Sequence, residues 1–192
     1  LNIGLIAHTP VGQGVNLAEL GPVFETNFVR RVLMLEGSGA TVECALDQGS
    51  IQADGRYTDL CELELELKQG ASTALLTWAR SLAATVPVFL NLISKAEQGY
   101  ALAGLHQPVP PGEEEALVNR VLHGLSRAWL SGRVDTDLVG ALESLQTENR
   151  LSAARVRDLD WLRKRLDAGD TVAELAAGST RLGQLQLSLL ER

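Results

Sequence analysis

Glu62, Glu64 and Glu66 occupy alternate positions in the run Cys61-Glu62-Leu63-Glu64-Leu65-Glu66-Leu67. A strand turns successive side chains to opposite faces, so the three carboxylates share one face and the apolar residues share the other. Carboxylates spaced roughly 6.5–7 Å apart repel one another unless cations or basic groups compensate them. Hard oxygen donors of this kind suit Mg2+ or Mn2+. Two earlier segments alternate in the same manner. Thr41, Glu43, Ala45 and Asp47 fall on one side, with Val42, Cys44 and Leu46 on the other. Before them Phe28, Arg30, Val32 and Met34 alternate with Val29, Arg31, Leu33 and Leu35. Arg30, and Lys95 further along, are side chains of the type that neutralises phosphate oxygens. Taken singly, these residues read as the solvated face of an antiparallel sheet, with two surface arginines and a solvated lysine. Carboxylates on one strand with basic groups on others are what a metal–triphosphate complex requires. The histidines His8, His106 and His123 fall in unrelated segments, and no Ser-His-Asp or Cys-His arrangement offers a covalent nucleophile.

These residues need a sheet to hold them. The spacing predicts strands over 2–7, 26–35, 40–47 and 60–68, with a hairpin turn at Gly37-Ser38-Gly39 and one helical turn near 17–20. Residues 48–58 read as a polar loop with a short strand near Ile51. A helix is expected from Ala71, capped by Ser72, with Leu75, Leu76, Ala79 and Leu82 at helical spacing. The apolar run 86–93 contains Pro87 and suits an edge strand or strand start. Residues 94–100 close this part.

The composition changes at 107–112, where three prolines form a linker. Beyond it the chain reads as helix. Glu113, Glu114 and Glu115 suit a helix N-terminus, and Val118, Leu122, Leu125 and Trp129 supply that helix with an apolar stripe. Further helices are expected over 135–145, 151–166 and 180–190. In the second of these Val156, Leu159, Leu162 and Leu166 line one side, and Arg155, Arg163, Lys164 and Arg165 form a solvated basic face. The fold class is therefore α+β: a sheet unit over 1–106 and a helical unit over 107–192.

The bulk properties fit a folded domain with a real core, at 45% apolar and 21% charged residues. A net charge of −7 argues against broad nucleic-acid binding, which needs a basic stripe to displace counterions. Cys44 and Cys61 lack zinc or redox spacing and read as buried free thiols in a reducing cytoplasm. No apolar run is long enough to span a bilayer, and the first residues do not resemble the basic-then-apolar pattern of a secretory signal, so none is expected. The expected compartment is the cytoplasm.

Four stretches together resemble one family. Phe24-Glu25-Thr26-Asn27-Phe28-Val29-Arg30, Glu43-Cys44-Ala45-Leu46-Asp47-Gln48-Gly49, Cys61 to Leu67, and Ser94-Lys95-Ala96 with Gly99-Tyr100 occur in the order and spacing of CYTH domains. The pattern is similar to bacterial inorganic triphosphatases in which CYTH precedes a helical CHAD domain. The resemblance implies an antiparallel β-tunnel, of which this chain carries the later strands, that hydrolyses inorganic triphosphate or a nucleoside triphosphate with Mg2+ or Mn2+. By the same resemblance Glu62 and Glu64 are metal ligands, and Glu66 lies further from the site. Arg30 and Lys95 contact phosphate, while Arg31 faces away. Glu43 and Asp47 are catalytic tunnel residues that hold the basic groups or a water on the metal. Water would attack the terminal phosphoryl group in line.

The family's opening Glu-x-Glu-x-Lys strand has no counterpart in these residues. The chain is therefore expected to need an N-terminal complementary fragment or a homo-oligomeric neighbour. Gln98 stands where relatives carry Arg, which implies one phosphate or edge contact fewer. The helical part resembles CHAD in position and helicity only, and a scaffold or dimerisation bundle fits it as well. Two other functions stay open on these residues: a class IV-type adenylyl cyclase, and a polyphosphate-binding or assembly module without turnover. No membrane or nucleic-acid partner is expected.

Overall fold

A computed structural model describes residues 5, 9–10, 16, 19–112, 114–148 and 151–191. Apart from Leu5, the strand expected over 2–7 lies outside the described residues, as do His8, Leu17 and Glu113. Three long strands, β1 (Glu25–Gly37), β2 (Ala40–Ala53) and β3 (Arg56–Gly70), form an antiparallel sheet in that order. Among the described residues seven helices follow, so the class is α+β as expected. Among the described residues the sheet is three strands wide and has not closed into a tunnel.

Both hairpins turn on two residues with left-handed backbone. Ser38 (φ 54°) and Gly39 (φ 71°) make the first, Asp54 (φ 48°) and Gly55 (φ 73°) the second. Such pairs match the right-handed twist of the flanking strands. The second turn corrects the loop expected over 48–58, where β2 and β3 in fact run on to meet at Asp54-Gly55. Two-residue alternation continues beneath the polar composition: Ile51 and Ala53 are buried while Gln48 and Gln52 are exposed. Polarity marked the wet face of the strand, not its end.

The register aligns Arg30 with Asp47 and Asp47 with Glu62; one step along, Val32 aligns with Ala45 and Ala45 with Glu64. The face carrying the charged residues is the more enclosed one. Ala45, Asp47, Ile51 and Leu60 are buried there, whereas on the opposite face Val42 is buried but Val29 and Leu33 are 66% and 62% exposed. Cys61 is exposed and Cys44 only part-buried on that opposite face, not buried as expected, because much of it is left uncovered.

After β3 comes α1 (Thr73–Ala83). Ser72 stands at its N-cap but its side chain caps no backbone amide, because its own φ and ψ are helical where a cap needs an extended backbone. Residues 86–93 do not join the sheet; they form an irregular strap against the helical half. Residues 94–100 become the start of α2 (Lys95–Leu102), opened by a reciprocal capping box between Ser94 and Glu97. Gly99 lets α2 lie directly on the Phe24 ring, since a Cβ there would stand 2.3 Å from Phe24 Cδ2. Tyr100 meets the same ring edge-on at 5.0 Å.

The helical half comprises α3 (Leu117–Ser131), α4 (Thr136–Gln146), α5 (Ala153–Asp167), α6 (Val172–Gly178) and α7 (Arg181–Leu189). Glu114 and Glu115 precede α3 instead of forming its first turn. Gly132, in the left-handed region, ends α3; Asp135, Ser152 and Thr171 cap the next three helices through side-chain bonds. Leu125, Leu138, Leu142, Leu145, Leu159 and Leu162 build the shared core. The apolar stripes expected on α3 and α5 face that core through Leu125, Leu159 and Leu162, with Val118, Trp129 and Leu166 packed against it, while Leu122 is buried outside that cluster and Val156 is 36% exposed. Helix α6 was not expected from the sequence. No helix among the described residues is long and apolar enough to cross a membrane.

Candidate functional site

Asp47 sits on the middle strand with no solvent exposure. A carboxylate in that position must be paired, because an unpaired buried charge is strongly unfavourable. Two cations reach it from different elements. Arg30, its direct neighbour on β1, donates from Nε to Oδ1 and from Nη2 to Oδ2, both at 2.7 Å. Lys95, the first residue of α2, brings Nζ to 3.0 Å from Oδ2.

β3 supplies the remaining acids. Arg30 Nη2 also donates to Glu64 Oε2 at 2.7 Å, and Lys95 Nζ to Glu64 Oε1 at 2.6 Å. Lys95 further forms an ion pair with Glu62. The Phe28 ring lies beside both cations, its centroid 5.8 Å from the Arg30 guanidinium carbon and 5.7 Å from Lys95 Nζ. Side-chain exposure rises from zero at Asp47 through 18% at Lys95 and 26% at Glu62 to 44% at Glu64. The cluster is thus closed at Asp47 and open toward Glu64 and Arg30.

Electrostatics follow from this packing. The Arg30 hydrogen bonds, helped by Lys95, outweigh burial and hold the Asp47 carboxyl down at about 2. Burial alone would lower Lys95, but its bonds to Glu62, Glu64 and Asp47 together raise it above the ordinary lysine value. Arg30 is raised as well, first by its bond to Asp47. All three groups are therefore charged at neutral pH. Three carboxyl groups and two cations thus make up the cluster.

One oxygen from each of Asp47, Glu62 and Glu64 lies within 4.8 Å of the others. Such a set of hard donors fits a divalent cation, with the Lys95 ammonium standing where positive charge is wanted.

Of the six residues picked out in the sequence, five converge: Arg30, Asp47, Glu62, Glu64 and Lys95. Glu43 does not join them. It lies two positions along the same face, where Lys68 bridges it at 3.1 Å to Glu66 at 3.0 Å. Arg31 turns to the opposite face and bonds Gln48 Oε1 at 2.9 Å. The sequence reading overlooked Phe28 as a wall of the site and Lys68 as a partner of Glu43. Both share the parity of the charged face, which was the available signal. Gln98 is buried and donates to the Ile93 carbonyl at 3.2 Å.

No protein-family model matches the chain. A stretch of 83 residues, 43% of this chain, is 34% identical to an inorganic triphosphatase of Haemophilus influenzae. The match spans about a quarter of that relative's length, 24%. Over this stretch, the chain is similar to a triphosphatase.

Proposed function

We propose that the cluster binds the phosphoanhydride chain of inorganic triphosphate, or of a related triphosphate, together with Mg2+ or Mn2+, and supports its hydrolysis. The observation that carries this reading is the convergence of Arg30 and Lys95 with three carboxylates whose oxygens lie within 4.8 Å. The partial similarity to an inorganic triphosphatase supports the same reaction class.

In this reading Glu62 and Glu64 hold the divalent cation. When bound, the cation supplies charge neutralisation at the phosphate oxygens. Arg30 and Lys95 take the phosphate chain, exchanging part of their carboxylate bonds for phosphate ones. Asp47 stays ionised near neutral pH and is no proton acceptor there; it aims Arg30 and Lys95 at the substrate. Glu43 orders the neighbouring part of the face through Lys68. Positioning and electrostatics, not a covalent nucleophile, carry the chemistry. We assign the site to residues 1–106, the supporting bundle to 107–192 and the compartment to the cytoplasm, where free thiols such as Cys44 and Cys61 persist.

The test is orthophosphate release from tripolyphosphate by the chain, with and without added Mg2+ or Mn2+. Metal-dependent release that Glu62→Gln shifts to higher metal concentration supports the reading. Binding without release would leave a polyphosphate-binding module, and cyclic AMP from ATP would mark a cyclase.

A further inference from the structure

The strap of residues 86–93 has no regular structure, yet side chains of the helical half bond its backbone. Leu90 N–H donates to Gln186 Oε1, and the Leu90 carbonyl accepts from Gln186 Nε2, both at 2.9 Å. The amide of one side chain thus pairs with Leu90 as a neighbouring strand would. Leu92 N–H donates to Ser126 Oγ at 3.0 Å, and that hydroxyl donates to the Leu122 carbonyl at 2.9 Å. Gln186 and Ser126 are both completely buried. Phe89 stacks on Trp129 with centroids 5.9 Å apart. Gly183 permits the close approach of α7, since a Cβ there would stand 2.3 Å from the Val88 carbonyl oxygen.

The far end of the strap is bonded into α2. The Ile93 carbonyl accepts from buried Gln98, Ile93 N–H donates to Asn91 Oδ1 at 3.0 Å, and Ser94 caps the helix that Lys95 begins. A continuous bonded path therefore leads from α7 to the lysine at the centre of the charged cluster. Leucine at position 186 would fill the same interior, but it would leave the part-buried Leu90 amide and carbonyl without their protein partners. What the glutamine adds over an apolar residue is a fixed place for the strap.

We propose that Gln186 and Ser126 are positioning residues for Lys95: by pinning the strap they seat its ammonium among Asp47, Glu62 and Glu64. The inference rests on reading that cluster as a phosphate site. It makes the helical half a working part of the site, acting through the strap.

The test is calorimetric binding of tripolyphosphate with Mg2+ to the full chain, in wild type, Gln186→Leu, Lys95→Ala and the double variant. Gln186→Leu is expected to weaken binding about tenfold with helical content retained, and to add nothing once Lys95 is gone. Unchanged affinity, or the same loss on the Lys95→Ala background, overturns the proposal. If Gln186→Leu does not fold, Ser126→Ala removes a single strap bond and carries the same comparison with a loss of about threefold. A second arm needs no phosphate. The Lys95 ammonium protons, held by three carboxylates, are expected to exchange slowly by 15N NMR in wild type and rapidly in Gln186→Leu. Equal exchange in the two overturns the proposal. Slow wild-type exchange lost in the variant upholds it, even where wild type binds no tripolyphosphate; that latter result would overturn only the phosphate reading of the cluster.

Discussion

Arg30 meets Asp47 through two hydrogen bonds, Nε to Oδ1 and Nη2 to Oδ2, each 2.7 Å long, across a register in which the two residues are direct partners. The acid is wholly enclosed and the Arg30 side chain is 40% exposed. One end of the pair is therefore fixed in the sheet, while the other remains reachable from solvent. Bidentate geometry of this sort sets direction as well as charge.

Asp47→Asn keeps the shape and removes the charge. Arg30 and Lys95 then lose a counter-ion, so metal-free tripolyphosphate is expected to bind about tenfold more tightly. Turnover is expected to fall, because the two cations lose their common anchor. Calorimetry without metal, alongside phosphate release with it, checks both halves. Undiminished turnover would contradict the assignment of Asp47 as the aiming residue, and weaker metal-free binding would contradict the counter-ion argument.

The two sets of acids on the charged face should differ in their metal dependence. Glu62→Gln is expected to raise the Mg2+ concentration for half-maximal turnover by about 10- to 100-fold. Glu43→Gln, whose carboxylate pairs with Lys68, is expected to leave that concentration within about threefold of wild type. A metal titration of each variant decides; equal shifts would merge the two groups.

The pH dependence of stability follows from the direction of two shifts. Asp47 is lowered from 3.8 to about 2 in the folded chain, so its contribution is present above about 4 and is lost as the pH falls toward 2. Lys95 is raised above 10.5; its contribution is complete below that pH and is lost only as the pH climbs through the higher folded value. The difference in Tm between wild type and Asp47→Asn should therefore be flat from pH 5 to 9 and shrink below about 4. Thermal melts across that range test the sign. A gap that widens in acid would contradict it.

β1 is an edge strand among the described residues, with Val29, Val32 and Leu33 more than half exposed. Unpaired backbone groups flanked by apolar side chains invite association with other chains. Leu33→Lys is expected to reduce light scattering of the concentrated chain while leaving its Tm within about 2 °C of wild type. Scattering that does not change would place the sticky surface elsewhere.

Much of this arrangement was readable as parity. Glu62 and Glu64 alternate with leucines, Asp47 and Arg30 share their phase, and a sheet of any width places such residues side by side. Parity could not say which face would be covered. The leucines of β3 suggested burial of the opposite face, yet α2 lies over the charged one, because Gly99 and Tyr100 dock on Phe24. Short helices were missed for a different reason. Their apolar periodicity spans too few residues, although Ser94-x-x-Glu97 and Thr171-x-x-Glu174 both carry a capping box. The role of the strap could not be read locally at all. Its bonds reach Ser126 and Gln186, 34 and 96 residues from their partners.

That separation bears on synthesis. A growing polypeptide folds from its leading end, and the sheet needs only neighbouring segments to form its hairpins. The amide that steadies Leu90 is made 96 residues after it, so a ribosome-bound chain could hold the three-stranded sheet while Lys95 is still unseated. The charged face would take its final form only once α7 has been made.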